Sequence, residues 1–205
     1  MKKLILTFAL AANLTISAQT RKGFFLSPDL NYGISNITNM DFGPDLSYNV
    51  GIKAGYMFGN RAGLYTGLSL SQFNFVSDDG FVNTVYFKMN YVEIPFGMRL
   101  ITSKLNKFGF SMDAGLNLYI LQDGSAYHSQ LNTEQTGTEF YTTMGGKFNI
   151  NPGFHIPVKK RSSFQVGPYF GFYTGQFFDE SIQTEGNIIT FGVRLAYMVN
   201  FYRAK

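Results

Sequence analysis

Ile189-Thr190-Phe191-Gly192-Val193-Arg194-Leu195-Ala196-Tyr197-Met198-Val199-Asn200-Phe201 decides the fold. Phe191, Val193, Leu195, Tyr197, Val199 and Phe201 share one parity, and Gly192, Arg194, Ala196, Met198 and Asn200 share the other. Successive side chains of a strand point to opposite faces, so this segment has one continuous apolar face and one polar, small-residue face. It stands near the C-terminus of a chain that opens on an export leader, and its pattern recurs upstream. It reads as the closing strand of a transmembrane β-barrel.

The same period places strands near Gly23 to Ile34, Ser47 to Phe58, Ala62 to Phe75, Val85 to Ile101, Phe108 to Leu121, Tyr141 to Ile156, Phe164 to Thr174 and Ile188 to Phe201. In the second, Val50, Ile52, Ala54, Tyr56 and Phe58 oppose Gly51, Lys53, Gly55 and Met57. In the fifth, Phe110, Met112, Ala114, Leu116 and Leu118 oppose Ser111, Asp113, Gly115 and Asn117. The expected fold is all-β, an eight-stranded antiparallel up-and-down transmembrane barrel. The first strand alternates least clearly. Pro28, Pro95, Pro152 and Pro168 fall inside strands, where each removes a ladder donor and predicts a bulge or a break, leaving local register open.

Lys2 and Lys3 precede an apolar run from Leu4 to Leu14, and Ile16-Ser17-Ala18 supplies the small residue at a cleavage site. Residues 1–18 are expected to be a signal peptide and residues 19–205 the barrel domain. The run is shorter than the roughly 20 apolar residues of a membrane-spanning helix. The chain has no cysteine, which excludes disulfides and an N-terminal lipid anchor. Mean hydropathy is near zero, as expected where lipid-facing side chains alternate with polar interior ones.

The links alternate in length. Gly59-Asn60-Arg61, Thr102 to Lys107 and Pro157 to Ser163 are short, whereas Ser35 to Leu46, Val76 to Thr84, Gln122 to Phe140 and Gly175 to Asn187 are long. Short turns belong on the periplasmic side, which also puts both termini there. Charge sorts with length. Arg21, Lys22, Arg61, Lys104, Lys107, Lys159, Lys160, Arg161, Arg203 and Lys205 gather on the short-turn side; Asp41, Asp45, Asp78, Asp79, Asp123, Glu134, Glu139, Asp179, Glu180 and Glu185 occupy the long links. A solvated loop surface accounts for the acids, with cation chelation at outer-leaflet phosphates as the sharper alternative.

Tyr91-Val92-Glu93-Ile94-Pro95, followed by Phe96-Gly97-Met98-Arg99-Leu100, resembles the central strand of the PorT-like outer-membrane β-barrel family of Bacteroidota. Gly51-Ile52-Lys53-Ala54-Gly55-Tyr56 and Gly63-Leu64-Tyr65-Thr66-Gly67-Leu68 are similar to its earlier strand pair. The resemblance covers essentially the mature chain. It implies an outer-membrane barrel and carries no catalytic residues; a role in secretion or motility is not transferred.

Asp29, Lys53, Glu93, Arg99, Asp113, Lys147 and Arg194 fall on the interior parity. Buried charges must pair, so they predict an internal network that fills the bore; a proton or ion path is the alternative, disfavoured because eight strands leave little open space. His128 with Ser129 near Asp123 imitates a lipid-hydrolase triad by proximity alone. His155 reads as a hydrogen-bonded interior residue. No second His or Cys stands at metal-ligand spacing, and no cofactor or catalytic site is expected. Tyr56, Phe58, Phe201 and Tyr202 fit an interfacial aromatic girdle. The basic turns carry no nucleic-acid motif, so the expected partners are outer-membrane lipid and envelope proteins. The expected function is a non-enzymatic outer-membrane barrel whose loops serve binding or envelope integrity. A lipid-modifying barrel enzyme and a soluble calyx for a small apolar ligand are the rivals, the calyx requiring the opposite facing.

Overall fold

The computed structural model describes residues 22–38, 42–78, 84–103, 107–129, 133–136, 144–174 and 187–201. Residues 1–18, the expected signal peptide, lie outside these, as does Tyr202. The strands are β1 (Gly23–Ile37), β2 (Phe42–Met57), β3 (Ala62–Asp78), β4 (Thr84–Ile101), β5 (Gly109–His128), β6 (Thr133–Thr136), β7 (Met144–Lys159), β8 (Ser162–Thr174) and β9 (Ile188–Phe201). Each long strand pairs antiparallel with its chain neighbour, β5 skips to β7, and β9 returns to β1. The result is a closed eight-stranded all-β barrel. Closure leaves the barrel without an edge.

Alternation fixes the facing of the wall. Leu116, Leu118, Val193, Leu195, Phe170 and Phe172 point outward, Leu116 being 62% exposed. Ser27, Asn49, Lys53, Glu93, Arg99, Asp113 and Arg194 point inward, and Glu93 and Arg99 are fully buried. The first strand alternates as cleanly as the others, with Phe25, Ser27, Asp29 and Asn31 inside against Phe24, Leu26, Leu30 and Tyr32 outside. Small inward residues make room for large ones. A Cβ on Gly97 would collide with the Tyr65 ring, and one on Gly192 with the Tyr32 carbonyl oxygen and the Tyr169 ring.

The apolar exterior is bounded by aromatics. Near the end where β1 begins, Phe24 meets Tyr56 edge-on at 5.0 Å, Tyr56 meets Phe58 at 5.8 Å, Phe108 stacks on Phe154 at 5.6 Å and Phe164 meets Tyr197 at 5.0 Å. Tyr32, Tyr48, Tyr86 and Tyr127 mark the other end. Phe24 and Tyr32 are separated by eight residues of β1, or about 27 Å along the strand and about 20 Å along a tilted barrel axis.

Of the bulge or break expected at each proline, the structure shows the break. Pro28 pairs with Ile52 but leaves the β1–β9 ladder open, and Pro95 pairs with Asn117 but leaves the β3–β4 ladder open. Pro152 and Pro168 face each other across β7 and β8, pairing only with Met112 and Val193 on their other sides. Each interrupts one ladder, as a missing N–H dictates, and the register continues unchanged beyond it. The register shifts lie instead beside Pro44, beside Pro157 and between Asn90 and Tyr91.

The link from Gln122 to Phe140 is corrected most. Asn90 faces Asp123 whereas Tyr91 faces Leu121, so Gln122 is an extra residue on β5. Beyond this bulge β5 runs to His128, and Thr133–Thr136 folds back on it as β6. Ser35–Leu46 and Pro157–Ser163 are likewise shorter links than expected, since β1 and β2 pair as far as Ser35 and Asp45 and β7 and β8 meet at Lys159 and Ser162.

Candidate functional site

The bore holds the densest chemistry among the described residues. In the half nearer the start of β1, Asp113 on β5 accepts a bidentate pair from Arg99 on β4, Nε to Oδ1 at 2.8 Å and Nη2 to Oδ2 at 2.7 Å. Arg194 on β9 donates Nη2 to Asp113 Oδ2 at 2.8 Å and Nε to Asp29 Oδ2 at 2.6 Å. Lys53 on β2 lies 3.2 Å from Asp29 and 3.8 Å from Asp113. The planar fork of each arginine suits two carboxylate oxygens at once, which a lysine could not match. Arg99 also rests over the Phe25 ring at 4.7 Å.

A second cluster sits higher. Glu93 on β4 receives Lys147 Nζ at 3.3 Å on both oxygens, the Tyr173 hydroxyl at 2.8 Å, the Asn117 amide and the Ser71 hydroxyl. Two side-chain chains continue from it. Asn151 donates to Asn149 at 3.2 Å and Asn149 to Asn117 at 2.6 Å; on the other side, Asn49 donates to Ser71 at 2.6 Å and accepts from Asn31 at 3.0 Å, which also reaches Asp29 at 3.2 Å. The belt draws on every barrel strand. All seven charges named from the sequence thus stand in the bore, in two groups joined through asparagines.

Both ends of this polar section are closed by apolar side chains. Phe25, Met57, Tyr65, Ile101 and Met198 pack together at the end where β1 begins. Ile37, Phe73, Phe75, Met89, Tyr91, Tyr119, Leu121, Tyr173 and Ile188 pack at the other. Between them a cavity of about 20 Å³, bordered by Asn31, Asn49, Lys53, Asn117, Lys147 and Asn151, has room for about one water. An ion would have to shed its hydration to pass. These two caps escaped the sequence reading, although Phe25, Phe73, Phe75, Met89 and Tyr91 all stand on the interior parity near strand ends.

Other candidates are dispersed. His155 is buried in the bore at the register of Gly109 and Gln165. Asp123 points outward with Ser125 and Tyr127, and His128 has the opposite parity on the same strand, roughly 16 Å along it. Ser129 is exposed and its backbone N–H donates to the Thr84 carbonyl at 3.1 Å. The three do not converge. Among the described residues no group of His, Cys, Asp and Glu has the geometry of a metal site.

Charge separates along the axis. Lys22, Arg61, Lys107, Lys159, Lys160 and Arg161 lie at the end where β1 begins, and Asp45, Asp123 and Glu134 at the other, with Lys88 beside them. Arg21, Lys104, Asp41, Asp79, Glu139, Asp179, Glu180, Glu185, Arg203 and Lys205 lie outside the described residues, as does the Asp78 side chain.

No protein-family model matches the chain, and no curated protein matches it. Solved structures do. Neisserial surface protein A (NspA) superposes with a TM-score of 0.51 at 10% identity, over 87% of this chain and 97% of that one. The outer membrane protein OprG from Pseudomonas aeruginosa gives 0.51 at 8% identity, over 92% and 100%. At these identities the likeness is one of fold.

Proposed function

We propose that this chain is a non-enzymatic, non-conducting outer-membrane barrel whose long-link end faces outside the cell. One observation carries the reading. The wall is apolar outside and ionic within, an arrangement that water would penalise and a bilayer would favour. A soluble calyx needs the reverse. The aromatic rings at both ends of the apolar band, the leader-like composition of residues 1–18 and the resemblance of the β4 segment to PorT-like barrels all support the location. The basic turns then lie in the periplasm with both termini. With His128 and Asp123 on opposite faces of β5, a lipid-hydrolase triad lacks its geometry. The scaffold role leaves the outer links and the β5–β6 hairpin to contact envelope partners.

Fractionation tests the location. The mature chain should sediment with the outer membrane and resist carbonate extraction. Recovery of a folded, soluble protein from the periplasm would defeat the proposal.

A further inference from the structure

We propose that the outward cleft formed by the far ends of β4, β5 and β6 binds the phosphorylated sugar headgroup of an outer-leaflet glycolipid. The inference rests on the outward orientation proposed above and adds a ligand to it. The cleft measures about 430 Å³ and is lined by Lys88, Asn90, Asp123, Ser125, Glu134 and Thr136. That volume falls within the usual range for small-molecule sites.

Three features select the occupant. The first is height. Val92 and Ile120 pair at the top of the apolar wall, and Asn90 and Asp123 form the next paired position above the bulge, about 7 Å further along the strands. An acyl chain lying on Leu118 and Ile120 therefore ends where the cleft begins. The second is aim. Were Gln122 paired in plain alternation, Asp123 would continue the inward parity of Tyr119 and Leu121; the bulge turns Asp123 and Ser125 outward beside Asn90 and Lys88. The third is chemistry. Asn90 donates to Asp123 at 2.8 Å, which leaves the second carboxylate oxygen of Asp123 and both oxygens of Glu134 as acceptors for vicinal hydroxyls, and Lys88 as a point charge for phosphate. The six ion pairs among the described residues are all in the bore and engage none of these three. One register higher, the outward rings of Tyr86 and Tyr127, 6.3 Å apart, offer an apolar edge to a sugar. A headgroup of phosphate alone would leave the two carboxylates facing like charge, so the sugar is required.

The test uses the full mature chain, native mass spectrometry, and vesicles of either phosphatidylglycerol or a bisphosphorylated glucosamine-disaccharide glycolipid. The wild type should retain the glycolipid through detergent exchange and retain phosphatidylglycerol far less. Lys88→Ala with Asp123→Asn and Glu134→Gln should cut glycolipid retention about tenfold or more, because several charge-assisted hydrogen bonds go together. Lys160→Ala, at the opposite rim, should leave it unchanged. Heat-modifiable gel migration verifies folding, and Lys88→Ala alone serves if the triple variant does not fold. Equal retention by wild type and variants, or equal retention of both lipids, overturns the site. Orientation is read separately: the chain has no cysteine, so Thr133→Cys in intact cells should react with a membrane-impermeant maleimide. Failure to label overturns the orientation and the glycolipid with it, whereas labelling with equal retention overturns the cleft alone.

Discussion

Asp113 holds more of the buried charge than any other side chain in the bore, since Arg99, Arg194 and Lys53 all lie within 3.8 Å of it. Asp113→Ala leaves those cations without a shared anion in a section closed to water, and should cost about 3–5 kcal/mol, as removal of one partner of a buried pair does. Glu93→Leu should cost a similar amount, because Lys147 loses its carboxylate and the Tyr173, Asn117 and Ser71 donors lose their acceptor. Exposed Lys160→Leu should stay within about 0.5 kcal/mol of wild type. Urea unfolding in lipid vesicles measures all three, and coincident midpoints would show that the interior pairs contribute nothing. The sequence discloses that these residues face inward, because parity is local. It does not disclose which acid meets which base: Asp29 and Arg194 touch across 165 positions of sequence, a distance that only closure of the cylinder can bridge.

Among the elements, β5 and β6 show where pattern reading ends. Up to Leu121 the strand announces itself by apolar contrast between its faces; beyond it, Gln122 to Ala126 has polar or small residues on both, so period 2 has nothing to mark. Hydrogen bonding continues regardless, because the backbone of β4 is still available to pair. Deleting Gln122 should remove the bulge while Asp123 stays opposite Asn90, so the residues above it keep their faces. Ser125→Cys reports this. It should react with a water-soluble maleimide equally in the native and deletion backgrounds. Protection in the deletion background would mean that Gln122 is not the extra residue of the pair. The interior prolines teach the complementary lesson, since the missing donor is visible in the sequence while the neighbouring ladder that holds the register is not.

For the molecule as a whole, the closed bore predicts silence in planar bilayers. Two apolar caps and a cross-linked ionic belt leave about 20 Å³ between them, so the purified protein should show no sustained conductance. Stable channels of porin size would refute the sealed interior. Trimming both caps, with Phe25→Ala and Met57→Ala at one end and Tyr119→Ala and Tyr173→Ala at the other, should admit brief openings if the caps are the barrier. The belt has a further consequence at the seam where the first strand meets the last. Sliding β9 past β1 by one residue would turn its apolar face inward and is forbidden by hydrophobicity alone. Sliding it by two restores every facing, so greasy and polar surfaces cannot tell that mistake from the true closure. The charges can. Arg194 stands opposite Asn31, two residues from Asp29, so the slide that seats it opposite Gly33 carries it about 7 Å farther from Asp29 and leaves both unmatched, and against that look-alike the ionic belt works as a vernier on the zipping of the cylinder.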